Sequence, residues 1–308
     1  MLKGLFSASS PFTQFIMLGF CMIASFLLAI LIGVLFVPLI LDIPFADFFK
    51  NFDNSEIEQN LNLMRYRQVI FGIGLFIIPA LVAAYLFSNA VSGYFGLKRA
   101  PSAKWFVATM LLMLMSIPFI NLLSSLNEMI VFPKSLSGLE QRLKDFEDVA
   151  QQATKLFLNA DGIGGMFFNI FMIALLPALG EELIFRGVLQ KIFTRWTGNV
   201  HIAIMICSLM FSLMHFQFYG FFPRWLLGVL LGYLMIWSGT IWLPIFAHFV
   251  NNTVAALCYY MIGKGIISEK IEDYGASFSD IPVTIVTTAV AILLFWKIYQ
   301  RNKTVIEG

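Results

Sequence analysis

Three short segments of this 308-residue chain put chemically active side chains inside otherwise apolar sequence. EELIFRG supplies Glu181, Glu182 and Arg186, FSLMH supplies Phe211 and His215, and HFVNN supplies His248, Asn251 and Asn252. Glu182 and Arg186 stand four apart with the acid first, the favourable order for an ion pair along a helix. Arg186 can neutralise Glu182 and leave Glu181, one position round the helix, to face elsewhere. The pair is therefore assigned to structure and Glu181 to chemistry. His248 and Asn252, also four apart, share one helix face. A carboxylate, two imidazoles and an amide around water suit hydrolysis of a carbonyl compound. Glu181 would deprotonate water and pass the proton to the leaving amine. His215 would position or polarise that water, and His248 and Asn252 would donate to the developing oxyanion. No serine or cysteine sits in a recognisable nucleophile motif, so direct attack by water is expected rather than an acyl-enzyme.

The elements that must hold these groups lie in lipid. The chain is 59% hydrophobic and 12% charged, with mean hydropathy +0.83. A soluble domain carries about 25% charge, so composition excludes a soluble enzyme, a disordered chain and a nucleic-acid-binding module. It indicates a polytopic membrane protein. The net charge of +2 argues for no anionic partner. Cys21, Cys207 and Cys258 lie in apolar stretches without CxxC spacing, as buried thiols rather than a disulfide framework or a thiolate zinc site. The uncharged Thr13–Leu41 stretch is about twice the length of a signal-peptide core and is read as a retained first span.

Charge-free windows predict eight spans in an all-α fold: Thr13–Leu41, Gln68–Phe87, Trp105–Ser124, Gly162–Gly180, Val200–Phe216, Trp225–Trp237, Ile241–Ile262 and Ile281–Trp296. The Trp237–Thr240 segment WSGT supplies the turn between the sixth and seventh. The Asp42–Arg67 connection is acidic and Asn-rich, and the Pro133–Asp161 connection carries SLSGLEQRLKDFEDVAQQATKLF, read as an amphipathic helix on the membrane surface before the fourth span, with a soluble docking helix as the alternative. No linker or repeat divides the chain, which is treated as one integral membrane domain, 1–308. Gly228 and Gly232 have GxxxG spacing, expected to serve close packing rather than a dimer seam. Lys and Arg counts tie between the two sides. Loop Asn89–Lys104, with Lys98, Arg99, Lys104 and no acid, and the C-terminal Lys297, Arg301 and Lys303 favour cytoplasmic termini. The cell (inner) membrane is the expected location.

If the fourth helix runs on to about Trp196, its turn into the fifth centres near Gly198. Glu181 lies 17 residues before that point and His215 lies 17 after it. In an antiparallel hairpin they reach matching depth, roughly 25 Å along each helix. His248 and Asn252 fall roughly 10–18 Å from the same side. Pro177 and Pro244 each precede a site residue by four, so both are expected to kink their helices beside the site.

EELIFRG, FSLMH and HFVNN resemble, in order and on separate helices, the EExxxR, FxxxH and HxxxN motifs of the CAAX protease and bacteriocin-processing (CPBP, or Abi) intramembrane protease family. The resemblance covers roughly 162–262, the expected catalytic core, and the N-terminal third matches only in hydropathy. It implies that Glu181, His215, His248 and Asn252 are catalytic and that Glu182, Arg186 and Phe211 support them. It implies an intramembrane endopeptidase acting on a membrane-bound protein or peptide. Eukaryotic members remove the last three residues of prenylated proteins, and bacterial members are associated with bacteriocin immunity, peptide maturation or signalling. The family is often called metalloprotease, which would make Glu181, His215 and His248 zinc ligands. There is no HExxH, and the metal-free glutamate mechanism is placed ahead of zinc. The competing functions are a transporter or proton-coupled carrier, since buried Glu and His also build proton relays, and a non-catalytic immunity or scaffold protein on the same fold.

Overall fold

The computed structural model describes residues 2–49, 61–158 and 162–306. Part of the Asn-rich connection (50–60) and residues 159–161 lie outside the described residues, as do the side chains of Arg301 and Lys303. The protein is an all-α integral membrane protein. Seven helices among the described residues are long and apolar enough to span a bilayer. They are α1 (Pro11–Leu41), α2 (Leu61–Phe87), α3 (Ala103–Glu128), α5 (Gly164–Thr197), α7 (Phe221–Ser238), α8 (Trp242–Gly263) and α9 (Ile281–Ile306). Between them sit the amphipathic α4 (Ser137–Leu158) and the short α6 (Val200–Leu213).

The fifth expected span, Val200–Phe216, is α6, and it is not a full crossing. Its 14 residues rise about 21 Å against a core of about 30 Å. The chain leaves the helix at Met214 and turns through Phe216 in the left-handed region, φ 53°. His215 thus sits at a helix end inside the bundle rather than midway along a span.

Loop contacts fix which helix ends share a face. The Gly4 and Phe6 N–H groups donate to Tyr85 and Leu86 carbonyls, and Arg195 donates to Ser9 O. The Ile241 N–H donates to Phe95 O, and Trp242 Nε1 to Leu97 O. Trp237 packs on Tyr299 with ring centroids 5.0 Å apart. The N-terminus, loop 88–102, the Gly198 turn, the Gly239 turn and the end of α9 therefore lie together. Gly198 and Gly239 both adopt positive φ, as their helix-ending turns require.

On the opposite face α4 docks through its polar side. Gln217 Nε2 donates to Glu147 Oε1 at 3.1 Å, and Arg65 Nη2 donates to the Phe157 carbonyl at 3.3 Å. Leu139, Phe146 and Val149 stay exposed, as in a helix lying in the membrane interface.

The glycine pair of α7 serves packing within the chain. A Cβ on Gly228 would meet Ser208 at 2.9 Å, and one on Gly232 would meet Ile204 at 2.8 Å. Those contacts are with α6, and two carbonyls of the same α7 segment face α5. Arg186 Nη2 donates to Gly228 O at 2.9 Å and Gln190 Nε2 to Gly232 O at 3.2 Å. Residues four apart on one helix thus meet carbonyls four apart on the other.

Pro244 corrects an expectation. It is the third residue of α8, within the first turn, where its missing N–H has no helical acceptor to lose. It starts the helix and does not kink it beside His248.

Burial raises the carboxyl pKa of Glu147, partly opposed by Arg224. A docked acid that holds its proton longer than an undocked one favours docking at low pH, and that contribution fades as pH rises through the raised value. Amide exchange in α4, corrected for intrinsic rates, should accelerate as pH rises above the ordinary glutamate value of about 4.3. Glu147→Gln should flatten that dependence.

Candidate active site

The site is assembled by α5, α6 and α8 around one carboxylate. Glu182 is fully buried, and its Oε1 accepts from Arg186 Nη1 at 2.8 Å and from His248 Nδ1 at 2.9 Å. The i,i+4 pair expected from sequence is present, but the same carboxylate also reaches 66 residues along the chain to orient His248. This arrangement puts the proton on Nδ1 and turns Nε2 outward. Nε2 stands 3.9 Å from Glu181 Oε2, too far for a direct hydrogen bond and close enough for ionic attraction. Glu181 and His215 keep a partly accessible edge, whereas Glu182, Arg186 and His248 are closed off.

His215 donates from Nδ1 to the Phe211 carbonyl at 2.8 Å, four residues back. Its Nε2 is therefore the free nitrogen, an acceptor when the ring is neutral. Phe211 is buried at the centre. Its ring lies edge-on to His215 (5.1 Å), His248 (5.7 Å) and Phe185 (5.4 Å), and the Arg186 guanidinium carbon sits 4.9 Å from it. One aromatic side chain thus sets the positions of both imidazoles and of the buried cation.

Asn252 is placed by a proline one helix away. Pro177 has no N–H to offer the Ile173 carbonyl, four residues back. Asn252 Nδ2 donates to that carbonyl at 3.4 Å, and Asn252 Oδ1 accepts from Asn251 Nδ2 at 3.2 Å. One amide hydrogen of Asn252 is left over. Around Pro177 the helix widens into a π-helical turn at Ile170–Leu175, and a second runs through Leu183–Leu189 directly after the two glutamates. Such turns concentrate at functional positions.

Sequence reasoning missed Arg224. The sixth window begins one residue later, at Trp225, yet α7 starts at Phe221 and carries Arg224 inside the bundle. Its guanidinium donates to Gln217 O at 3.0 Å and to Gln217 Oε1 at 2.6 Å. It lies within electrostatic range of Glu181, His215 and Glu147. A lone cation near the end of an apolar run was the available signal. The zinc expectation does not fit these side chains as placed. Among the described residues no three His, Cys, Asp or Glu side chains come together as a ligand set, Glu181, His215 and His248 included.

Comparison with known proteins finds similarity over the segment that carries these residues. Residues 163–254, which hold all three motifs, match the family model described as type II CAAX prenyl endopeptidase Rce1-like. The chain is 35% identical over 95 residues to "Uncharacterized protein YpbD" of Bacillus subtilis, covering 29% of this chain and 44% of that protein. It is 34% identical over 84 residues to "Sporulation-killing factor biosynthesis protein SkfC" of the same organism, covering 25% of this chain and 16% of the relative. An "Uncharacterized 24.3 kDa protein" of Escherichia coli is 29% identical over 108 residues, 34% of this chain and 49% of the relative. The chain thus spans less than half the length of each of these relatives. No solved structure matches. The matched segment, residues 163–254, carries the Glu181–Glu182–Arg186, Phe211–His215 and His248–Asn252 clusters, and it is this segment that is similar to the Rce1-like, type II CAAX prenyl endopeptidase family.

Proposed function

We propose that this protein is an intramembrane endopeptidase that hydrolyses a peptide bond of a membrane-associated protein or peptide, with Glu181 activating the water. The observation that carries the reading is the 3.9 Å gap between Glu181 and a His248 ring whose other nitrogen is fixed by Glu182. His215, with Nδ1 committed to Phe211 O, offers Nε2 as an acceptor to one water hydrogen, and Glu181 takes the other. His248 acts as an imidazolium that is already charged when substrate binds and keeps its proton throughout: Nε2–H points to the developing oxyanion, and the Glu182 carboxylate stabilises the charge through Nδ1–H. The free amide hydrogen of Asn252 is the second donor. Glu181 then returns its proton to the leaving amine. Arg224 partly balances the charge of Glu181 and Glu147 at the α4 side of the site.

The reaction is read as metal-free. The depth of the site supports a membrane-bound substrate, as do the matching family model, described as a CAAX prenyl endopeptidase, and a relative named for biosynthesis of a killing factor. The orientation is read with both termini in the cytoplasm of a cell (inner) membrane. The face that carries them holds Lys3, Lys98, Arg99 and Lys297, and its segments 1–10, 88–102 and 297–306 contain no acid.

Glu181→Gln should lower turnover by about a hundredfold or more while the protein stays monodisperse in detergent. Retained activity would remove Glu181 from the role of base and reopen a carrier function. His248→Ala and Asn252→Ala should each reduce kcat more than they raise KM, as loss of an oxyanion donor does. A defect confined to KM would assign both residues to binding. Purified active protein should keep its activity in chelator and contain no stoichiometric zinc by elemental analysis. Activity that is lost in chelator and restored by zinc would overturn the metal-free mechanism.

A further inference from the structure

A second polar feature lies away from the catalytic groups, toward the face that carries the termini. It is a cavity of about 340 Å³ beside the last turns of α5, walled among others by Gln14, Tyr94, Arg186, Gln190, Lys191 and Arg195. Phe87, Met235 and Ile236 give it an apolar side. No Asp or Glu contributes to its wall.

The cations here are not neutralised. Lys191 holds its ammonium 4.0 Å from the centre of the Tyr94 ring and has no carboxylate or other acceptor among the described residues. Arg195 donates only to neutral oxygens, Gln14 Oε1 at 2.9 Å and Ser9 O at 3.1 Å. The complementary ligand carries an anion for Lys191 and Arg195.

We propose that this cavity binds a phosphate-bearing anion, and that its occupant is the phosphodiester headgroup of an anionic membrane lipid. A lipid headgroup fits the location. The cavity lies where α1, α2, α5 and α7 meet the basic face, and basic pockets between membrane helices hold anionic headgroups. The apolar residues on its other side suit the start of an acyl chain. Inorganic phosphate presents the same chemistry without the chain, and the test separates the two. The proposal rests on the fold and not on proteolysis, so either can fail alone.

The full-length chain, purified in neutral detergent, is titrated with phosphatidylglycerol, phosphatidylcholine or inorganic phosphate. Thermal midpoint and native mass spectrometry are the readouts. Phosphatidylglycerol should raise the midpoint and remain bound as one molecule per chain, whereas phosphatidylcholine should do neither. Lys191→Met should weaken phosphatidylglycerol by about tenfold, the loss of one charge-assisted contact. Lys98→Gln with Arg99→Gln, elsewhere on the same face, should leave binding unchanged. If millimolar phosphate reproduces the shift and displaces the lipid, the anion site stands and the lipid assignment falls. Equal binding of the two lipids by the wild type needs no variant to read and overturns the proposal. So does undiminished binding by Lys191→Met.

Discussion

The Glu182 carboxylate holds the catalytic half of the molecule together. A charge at this depth in lipid is expensive unless it is paired and hydrogen-bonded. Glu182 takes Arg186 from its own helix and His248 from α8 on the same oxygen. Arg186 then donates onward to the Gly228 carbonyl of α7. Three helices are tied through three side chains and one backbone carbonyl. Gly228 is required because α7 must approach closely enough for its backbone oxygen to receive the guanidinium, and a Cβ there would collide with Ser208. Phe211 covers the guanidinium and touches both imidazoles, so the buried ion pair and the catalytic rings share one packing surface.

What sequence could show depended on how local each interaction is. The Glu182–Arg186 pair is i,i+4 and was visible, as were the helix-ending glycines at 198 and 239 and the small-residue pair in α7. The bond from Glu182 to His248 was not visible, because Arg186 alone already satisfied the local charge argument and the second partner comes from a different helix. Pro177 and Pro244 have the same spacing to a site residue, yet they act differently. Pro177 lies deep within α5 and leaves a carbonyl without its donor. Pro244 lies in a first turn, where that donor is surplus. Spacing cannot separate the two without the helix start. Arg224 escaped notice because a charge-free window was closed at Trp225, although the helix continues past it and Gln217 supplies the acceptors.

The two sides of the site carry different charge chemistry. Toward α4 the Glu147, Gln217 and Arg224 groups form a mixed-sign network leading to the accessible edges of Glu181 and His215. Toward the terminal face the site is closed by packing. Gly187 lies against the Phe95 ring and Ile241, and a Cβ on Gly187 would meet that ring at 2.5 Å. Beyond this plug the side chains are basic without acids. Arg186 belongs to both regions, with Nη1 and Nη2 bonded on the catalytic side and its side chain contributing to the cavity wall.

The π-helical turns follow from the same rule of satisfying polar groups in lipid. Each widened turn lets a backbone N–H reach five residues back, as Leu176 does to Phe171 and Gln190 does to Phe185. A widened turn leaves a carbonyl free, and in a bilayer such a group needs an internal donor. At Ile173 the donor is Asn252, so a residue read from sequence as an oxyanion donor also fastens α8 to α5. Replacing Asn252 therefore removes a tether as well as a catalytic amide. The KM-against-kcat split distinguishes the two roles because a loosened α8 displaces His248 in the ground state, whereas a missing donor is felt only as charge develops.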